Sequence, residues 1–228
     1  MSSESSPRDT RGAADEELDG RRGRLFIVSS PSGGGKGTLI QHVLESVPGI
    51  SNSVSWTTRP RRPSEIDGVD YHFVGADEFW EMRERGGFLE WAVVHGNSYG
   101  TARSVVEQEL SEGHDIILEI DVQGAASVRK ATKDVVSVFI LPPSFDALRE
   151  RLQLRGSDDP ATMALRLRNA RDEVRRYHEF DYVIINDEAE RAARQLAAVV
   201  YAERARRDRQ EWLARRVVAG FPEPSPVE

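Results

Sequence analysis

The chain has 228 residues, a formal net charge of −7 at pH 7 and no cysteine. That length suits one domain with inserted subregions and a sizeable core. The charge argues against a general nucleic-acid or membrane-surface binder, and the lack of cysteine excludes disulfides and thiolate metal sites.

Residues 1–23 are polar, charged and aperiodic, which predicts a disordered tail without a signal-peptide core. No apolar run is long enough to cross a bilayer, so the expectation is a cytoplasmic protein with neither membrane nor nucleic-acid partners. "RLFIVSS" (24–30) reads as a strand, and "KGTLIQHVLESV" (36–47) as a helix with Leu39, Ile40, Val43, Leu44 and Val47 at helical spacing. Between them lies "SSPSGGGKGTLI". It departs from the phosphate-loop pattern G-x-x-x-x-G-K-[ST] at Ser30 and at Gly37, where a hydroxyl normally meets a magnesium ion. Successive glycines let backbone N–H groups turn toward phosphate oxygens, and the helix start adds partial positive charge. Lys36 is one of three lysines in a chain that otherwise uses arginine, as though the loop wanted a compact ammonium. A tight strand-to-helix turn with a surface lysine is the competing reading.

The region 53–100 breaks the rhythm of strand and helix. "SVSWTTR", "YHFV" and "FLEWAVVH" read as short strands of a mixed patch with the helix "ADEFWEMRER" among them, an inserted substrate-binding subdomain. Within it Arg59, Arg62 and Tyr71 suit a clamp on a phosphate monoester, while the run "TTRPRRP" also fits a solvated basic loop. Glu90 is an acceptor suited to the adjacent N1–H and N2–H donors of guanine, or else a salt-bridge partner on an exposed strand. Beyond this region "HDIILEID" (114–121) and "DVVSVFIL" (134–141) read as buried parallel strands around the helix "QGAASVRKA". Asp121, at a strand's carboxyl end, suits a magnesium site or a turn cap. "SFDALRERLQLRG" reads as a helix stopped by Gly156, and "DPATMALRLRNARDEVRRYHEF" as a second with Pro160 near its first turn. The strand "YVIIN" (182–186) precedes one long helical segment from about 188 to 217, and 218–228 reads as a flexible tail. The alternation predicts a doubly wound α/β domain over 24–217 with ligands at the carboxyl ends of the strands.

From about Arg24 to Ala214 the sequence resembles the guanylate kinase family. The motifs "SSPSGGGKGT", "SVSWTTRPRRPSEIDGVDYHF", "FLEWAVVHGNSYGT", "LEIDVQGA", "FILPPS", "RLQLRG" and "VIIND" occur in family order. The resemblance implies a P-loop three-layer fold: a core of 24–52, 101–144 and 178–217, a GMP-binding region of 53–100, and a helical lid of about 145–177. It also implies transfer of the γ-phosphate of ATP to GMP with Mg²⁺, in a monomer or homodimer. Ser55, Glu90, Thr101 and Asp121 then contact guanine, and Arg59, Arg62, Tyr71 and Tyr99 hold the GMP phosphate. Lys36 and the amides of Ser32, Gly33, Gly34, Gly35, Lys36, Gly37 and Thr38 hold the ATP phosphates. Arg151, Arg155 and Arg166 are the lid arginines, and Asn186 lies near the adenine. Lys36, Arg59 and the lid arginines form the catalytic set. With no hydroxyl at Gly37, Mg²⁺ is expected on Glu119 and Asp121, through water. "GKGT" is similar to the loop of adenylate kinases, and Glu119 replaces the Asp of some relatives. A rival reading is a guanylate-kinase-like binding module without catalysis.

Overall fold

The computed structural model describes residues 22–94, 96–154 and 160–222. Its centre is β1 (Leu25–Ser29), whose five residues are all buried. It lies parallel between β7 (Asp115–Glu119) and β8 (Val135–Leu141), with Leu25 in register with Ile116 on one side and Val135 on the other. A strand with neighbours on both edges and helices on both faces has no solvent side, which is why these strands are apolar runs without alternation. β2 (Ile50–Asn52) and β9 (Tyr182–Ile185) complete an all-parallel sheet of order β2-β7-β1-β8-β9.

Two apolar layers flank it. On one face α1 (Lys36–Ser46) places Leu39, Ile40 and Val43 against Ala192, Leu196 and Val200 of α7 (Ala189–Arg204). On the other, Val106 and Leu110 of α3 (Arg103–Ser111) and Val122, Ala125 and Val128 of α4 (Val122–Ala131) pack on Ile27, Ile116 and Leu118. The chain leaves β1 toward β2 by way of α1, and leaves β7 toward β8 by way of α4. The loop after β1 therefore sits at the point where strand order reverses, the crevice in which such sheets receive ligands.

The second sheet is separate and mixed, in the order β4-β3-β6-β5. β3 is Trp56–Thr57, β4 is His72–Phe73, β5 is Phe88–Val94 and β6 is Asn97–Ala102, with α2 (Ala76–Glu84) between β4 and β5. Two further helices, α5 (Phe145–Leu154) and α6 (Pro160–Val174), join through Leu148, Leu152 and Ala170; a short 3₁₀ turn, Arg175–Glu179, follows. Pro160 is the first residue of α6, where its missing N–H costs nothing. Gly156, the expected stop for α5, lies outside the described residues.

Three sequence readings need correction. β2, β6 and α3 are elements that hydrophobic periodicity did not signal, because β2 and β6 are short and rich in Ser, Asn and Gly. The expected long helix from 188 to 217 is two helices, α7 and α8 (Arg207–Ala219), with Arg206 extended between them. The side-chain amide of Gln210 takes the Arg204 carbonyl at 3.0 Å, an acceptor that a continuing helix would give to residue 208. Residues 218 and 219, read as tail, end α8. Among the described residues no helix is long and apolar enough to cross a membrane.

Candidate active site

The glycine loop runs from Ser30 to Gly35, and its shape depends on glycine at two points. Gly33 and Gly35 have φ of 86° and 88°, in the left-handed region. A Cβ on Gly35 would lie 2.4 Å from Nδ2 of Asn186. Asn186, just after β9, is buried, and that amide donates to the Gly34 carbonyl at 2.9 Å, while Arg151 Nη2 donates to the Asn186 carbonyl at 2.8 Å. Asn186 therefore holds the loop through its side-chain amide. Gly37 is different. A side chain there would meet only the Glu119 carboxylate, at 3.6 and 3.8 Å in ordinary contact. The Lys36 ammonium lies 3.4 Å from Glu119 Oε1.

Across from the loop is a cleft of about 210 Å³ lined by Lys36, Ser55, Tyr71, Glu90, Tyr99, Glu119 and Asp121, with Ala92, Val94 and Ile120 as its apolar wall. The parallel sheet contributes Glu119 and Asp121 from the carboxyl end of β7. The mixed sheet contributes Glu90, which pairs in register with Thr101 across β5 and β6. Thr101 is fully buried, and its hydroxyl donates to Glu90 Oε1 at 2.7 Å. Glu90 is 6% exposed, and burial, reinforced by the nearby Asp121 charge, pushes its carboxyl up to about 7 against the opposing Thr101 hydrogen bond. Gly124 makes room for it: a Cβ there would stand 2.9 Å from Glu90 Oε2. Asp121 is the cap that one of its sequence readings gave, and it also reaches the cleft. Its Oδ1 caps α4 by accepting from Gln123 and Gly124 amides at 3.1 and 2.8 Å, and the residue also lines the cleft.

The arginine pair divides. Arg59 is inward, its side chain 15% exposed, and lies over the Tyr71 ring with its guanidinium carbon 5.4 Å from the centroid. Tyr71 and Tyr99 meet edge to face at 6.0 Å, and Tyr99 lies near enough to Arg59 to join Glu65, the main cause, in raising the guanidinium's pKa. Arg62 is turned outward and 59% exposed; neither arginine lines the cleft itself, which Arg59 borders through Tyr71. Arg155 lies outside the described residues. Arg166 sits on α6 and is half-buried.

Two carboxylates that sequence reasoning missed stand behind these groups. Glu65 accepts from Arg59 Nη2 and Nη1 at 2.7 and 3.1 Å and from the Arg62 amide at 2.8 Å. These bonds hold its carboxyl below the usual range, foremost the one to Arg59. Its signal was present, the sole carboxylate between "TTRPRRP" and Ile66. Glu173 of α6 accepts from the Ser32 amide at 3.3 Å and had no local signal.

A hard, oxygen-preferring ion brought by a nucleotide fits Glu119 and Asp121, since Mg²⁺ typically takes one or two carboxylates together with substrate phosphates and water. The one group of three acidic or histidine side chains close enough to hold an ion among the described residues, Glu109, Glu112 and His114, lies elsewhere, at the end of α3 and in the turn before β7.

A phosphate loop at the switch point of a parallel sheet, facing a second sheet that carries an acid and a tyrosine pair, defines a P-loop phosphotransferase of the nucleoside monophosphate kinase class. The family model described as Guanylate kinase matches residues 22–203. The chain belongs to the guanylate kinase family. It is 48% identical over 185 residues to the guanylate kinase of Symbiobacterium thermophilum, covering 81% of this chain and 88% of that protein. It is 50% identical over 194 residues to that of Chelativorans sp., covering 85% and 89%. The crystal structure of guanylate kinase from Anaplasma phagocytophilum superposes with a TM-score of 0.75 at 34% identity, covering 90% of this chain and 98% of that one.

Proposed function

We propose that this chain transfers the γ-phosphoryl group of ATP to GMP, giving ADP and GDP, as a cytoplasmic enzyme of guanine nucleotide supply. The observation that carries this reading is the one cleft that Lys36, Glu90, Tyr71, Tyr99 and Asp121 share. Lys36 and the amides of residues 33–38 hold the β- and γ-phosphates, the Ser32 amide being engaged by Glu173 and the loop shape resting on Gly33, Gly35 and the Asn186 grip. Arg59, Tyr71 and Tyr99 hold the phosphate of GMP, with Arg62 turning inward to join them. Glu90 accepts from guanine N1–H and N2–H, with Ser55 and Asp121 beside it. Thr101 acts by holding Glu90.

The attacking oxygen belongs to a phosphate that is already ionised, because its second pKa is about 6. No general base is required, and the work of the chain is alignment and charge neutralisation. Arg151, Arg155 and Arg166 supply positive charge over the transferring group, where one such arginine contributes on the order of 10³–10⁵ in rate. Mg²⁺ entering with ATP supplies further neutralisation, and Glu119 and Asp121 would hold it, through water. A coupled assay with GMP, AMP, CMP and UMP tests the reading. Turnover with GMP should exceed the others by orders of magnitude, and equal or absent turnover with GMP refutes it.

A further inference from the structure

α6 carries Arg166 and Glu173 seven residues apart, two helical turns, so both lie on one face with Ala170 between them. Ala170 packs on Leu148 and Leu152 of α5. Those two leucines sit directly on the phosphate loop: a Cβ on Gly33 would lie 2.9 Å from Leu152 Cδ2 and 3.1 Å from Leu148 Cδ1. α6 therefore rests on the loop through an apolar layer. Such a layer sets the distance between helix and loop, but being non-directional it leaves rotation of the helix about its own axis weakly defined. A hydrogen bond is directional. Glu173 Oε2 accepts one from the Ser32 amide, inside the loop itself, across 141 residues of sequence. The carboxylate is half-buried, and Lys36 and Asp121 are close enough to act on its charge.

We infer that Glu173 is a positioning residue, which ties α6 to the Ser32 amide and so fixes where Arg166 stands relative to the phosphates. An arginine fork meets a transferring phosphate usefully only within roughly 0.5 Å and 10–20° of the productive geometry. This directional bond, near the end of the helix that lies over the loop, constrains the rotation that the leucine layer leaves open. The inference rests on the role given to Arg166 above.

The test is steady-state kinetics of Glu173→Ala, Glu173→Gln, Arg166→Ala and the double variant Glu173→Ala/Arg166→Ala, with hydrogen exchange at the Ser32 amide in the nucleotide-free enzyme. Glu173→Ala should lower kcat by about tenfold to hundredfold, as a misplaced catalytic group does. Its KM for GMP should stay within about twofold, since the mixed sheet is untouched. Glu173→Gln keeps an acceptor of the same shape and should recover most of kcat. In the Arg166→Ala background, removal of Glu173 should change kcat by less than about twofold, because the two act as one unit. The Ser32 amide should exchange faster in Glu173→Ala and not in Glu173→Gln. Multiplicative losses in the double variant, a Gln variant as impaired as Ala, or unchanged exchange would each overturn the inference. An undiminished kcat in Arg166→Ala alone would instead overturn the role given to Arg166, a separate failure.

Discussion

Glu65 grips Arg59 through both terminal guanidinium nitrogens, Nη2 to Oε1 at 2.7 Å and Nη1 to Oε2 at 3.1 Å. A bidentate pair of this kind fixes the plane of the guanidinium as well as its position, and holds the side chain over Tyr71, which lines the cleft. Glu65→Ala should therefore raise KM for GMP by about tenfold, the equivalent of about 1.4 kcal/mol, with KM for ATP little changed. Glu65→Gln, which keeps one acceptor, should fall between. Because Arg59 holds the Glu65 carboxyl below its ordinary range, the pair stays ionised through neutral pH, and the loss should be independent of pH there. Initial-rate kinetics with GMP varied at saturating ATP decide the matter.

Glu90 should make guanine recognition pH-dependent. Reading N1–H and N2–H requires the carboxylate, yet burial pushes the group up to about 7. Below about pH 7 a proton must leave as guanine enters, so affinity should fall toward tenfold per pH unit as pH drops, and level off above. Calorimetric titration with guanosine isolates this from titration of the GMP phosphate. The same shift has a stability consequence. With the folded value above the ordinary 4.5, Glu90's contribution is fully present below 4.5 and is lost as pH rises through about 7. Glu90→Gln should thus raise Tm more at about pH 8 than at about pH 5, and should abolish the pH dependence of guanosine binding.

Two glycines of the loop should respond oppositely to substitution. Gly37→Ser places its Cβ in ordinary contact with Glu119 and meets nothing closer, so the variant should fold, and its added hydroxyl should leave KM for MgATP unchanged or lower. Gly35→Ala forces a side chain onto φ of 88° and to 2.4 Å from Asn186 Nδ2. The strained backbone alone costs roughly 1–3 kcal/mol, and loss of the Asn186 grip should raise KM for ATP sharply. Thermal unfolding with ATP-dependent kinetics distinguishes the pair.

Far from the cleft, Asp115 at the start of β7 is 1% exposed and accepts from the Arg24 amide and from Arg204 Nε, each at 2.7 Å. Arg204 also donates to the carbonyls of Pro48 and Gly49, which ties the end of α7 to the entry of β2. Asp115→Ala leaves the Arg204 charge, itself 9% exposed, without its counter-ion, and should cost about 3–5 kcal/mol in chemical denaturation. At temperatures where the variant is folded, kcat should be unaffected.

What the sequence by itself determined was local. The buried run of β1, the glycine turn, Lys36 and the periodicity of α1 lie within residues 25–46, and each follows from neighbours a few positions away. Family motifs extended that reading to Glu90, Asp121 and the tyrosines, which the structure gathers into one cleft. The polar strands β2 and β6 escaped it, since pairing partners and not composition make them strands. The supports of the site escaped it as well. Asn186 meets Gly34 across 152 residues and Glu173 meets Ser32 across 141; away from the site, Arg204 meets Asp115 across 89. Such contacts depend on how helices settle on the two faces of the sheet, and no short-range pattern encodes them. The break between α7 and α8 joins the two kinds of contact: Gln210 takes the Arg204 carbonyl six residues back, while the Arg204 side chain turns inward to Asp115 on the sheet, which only the tertiary structure places there.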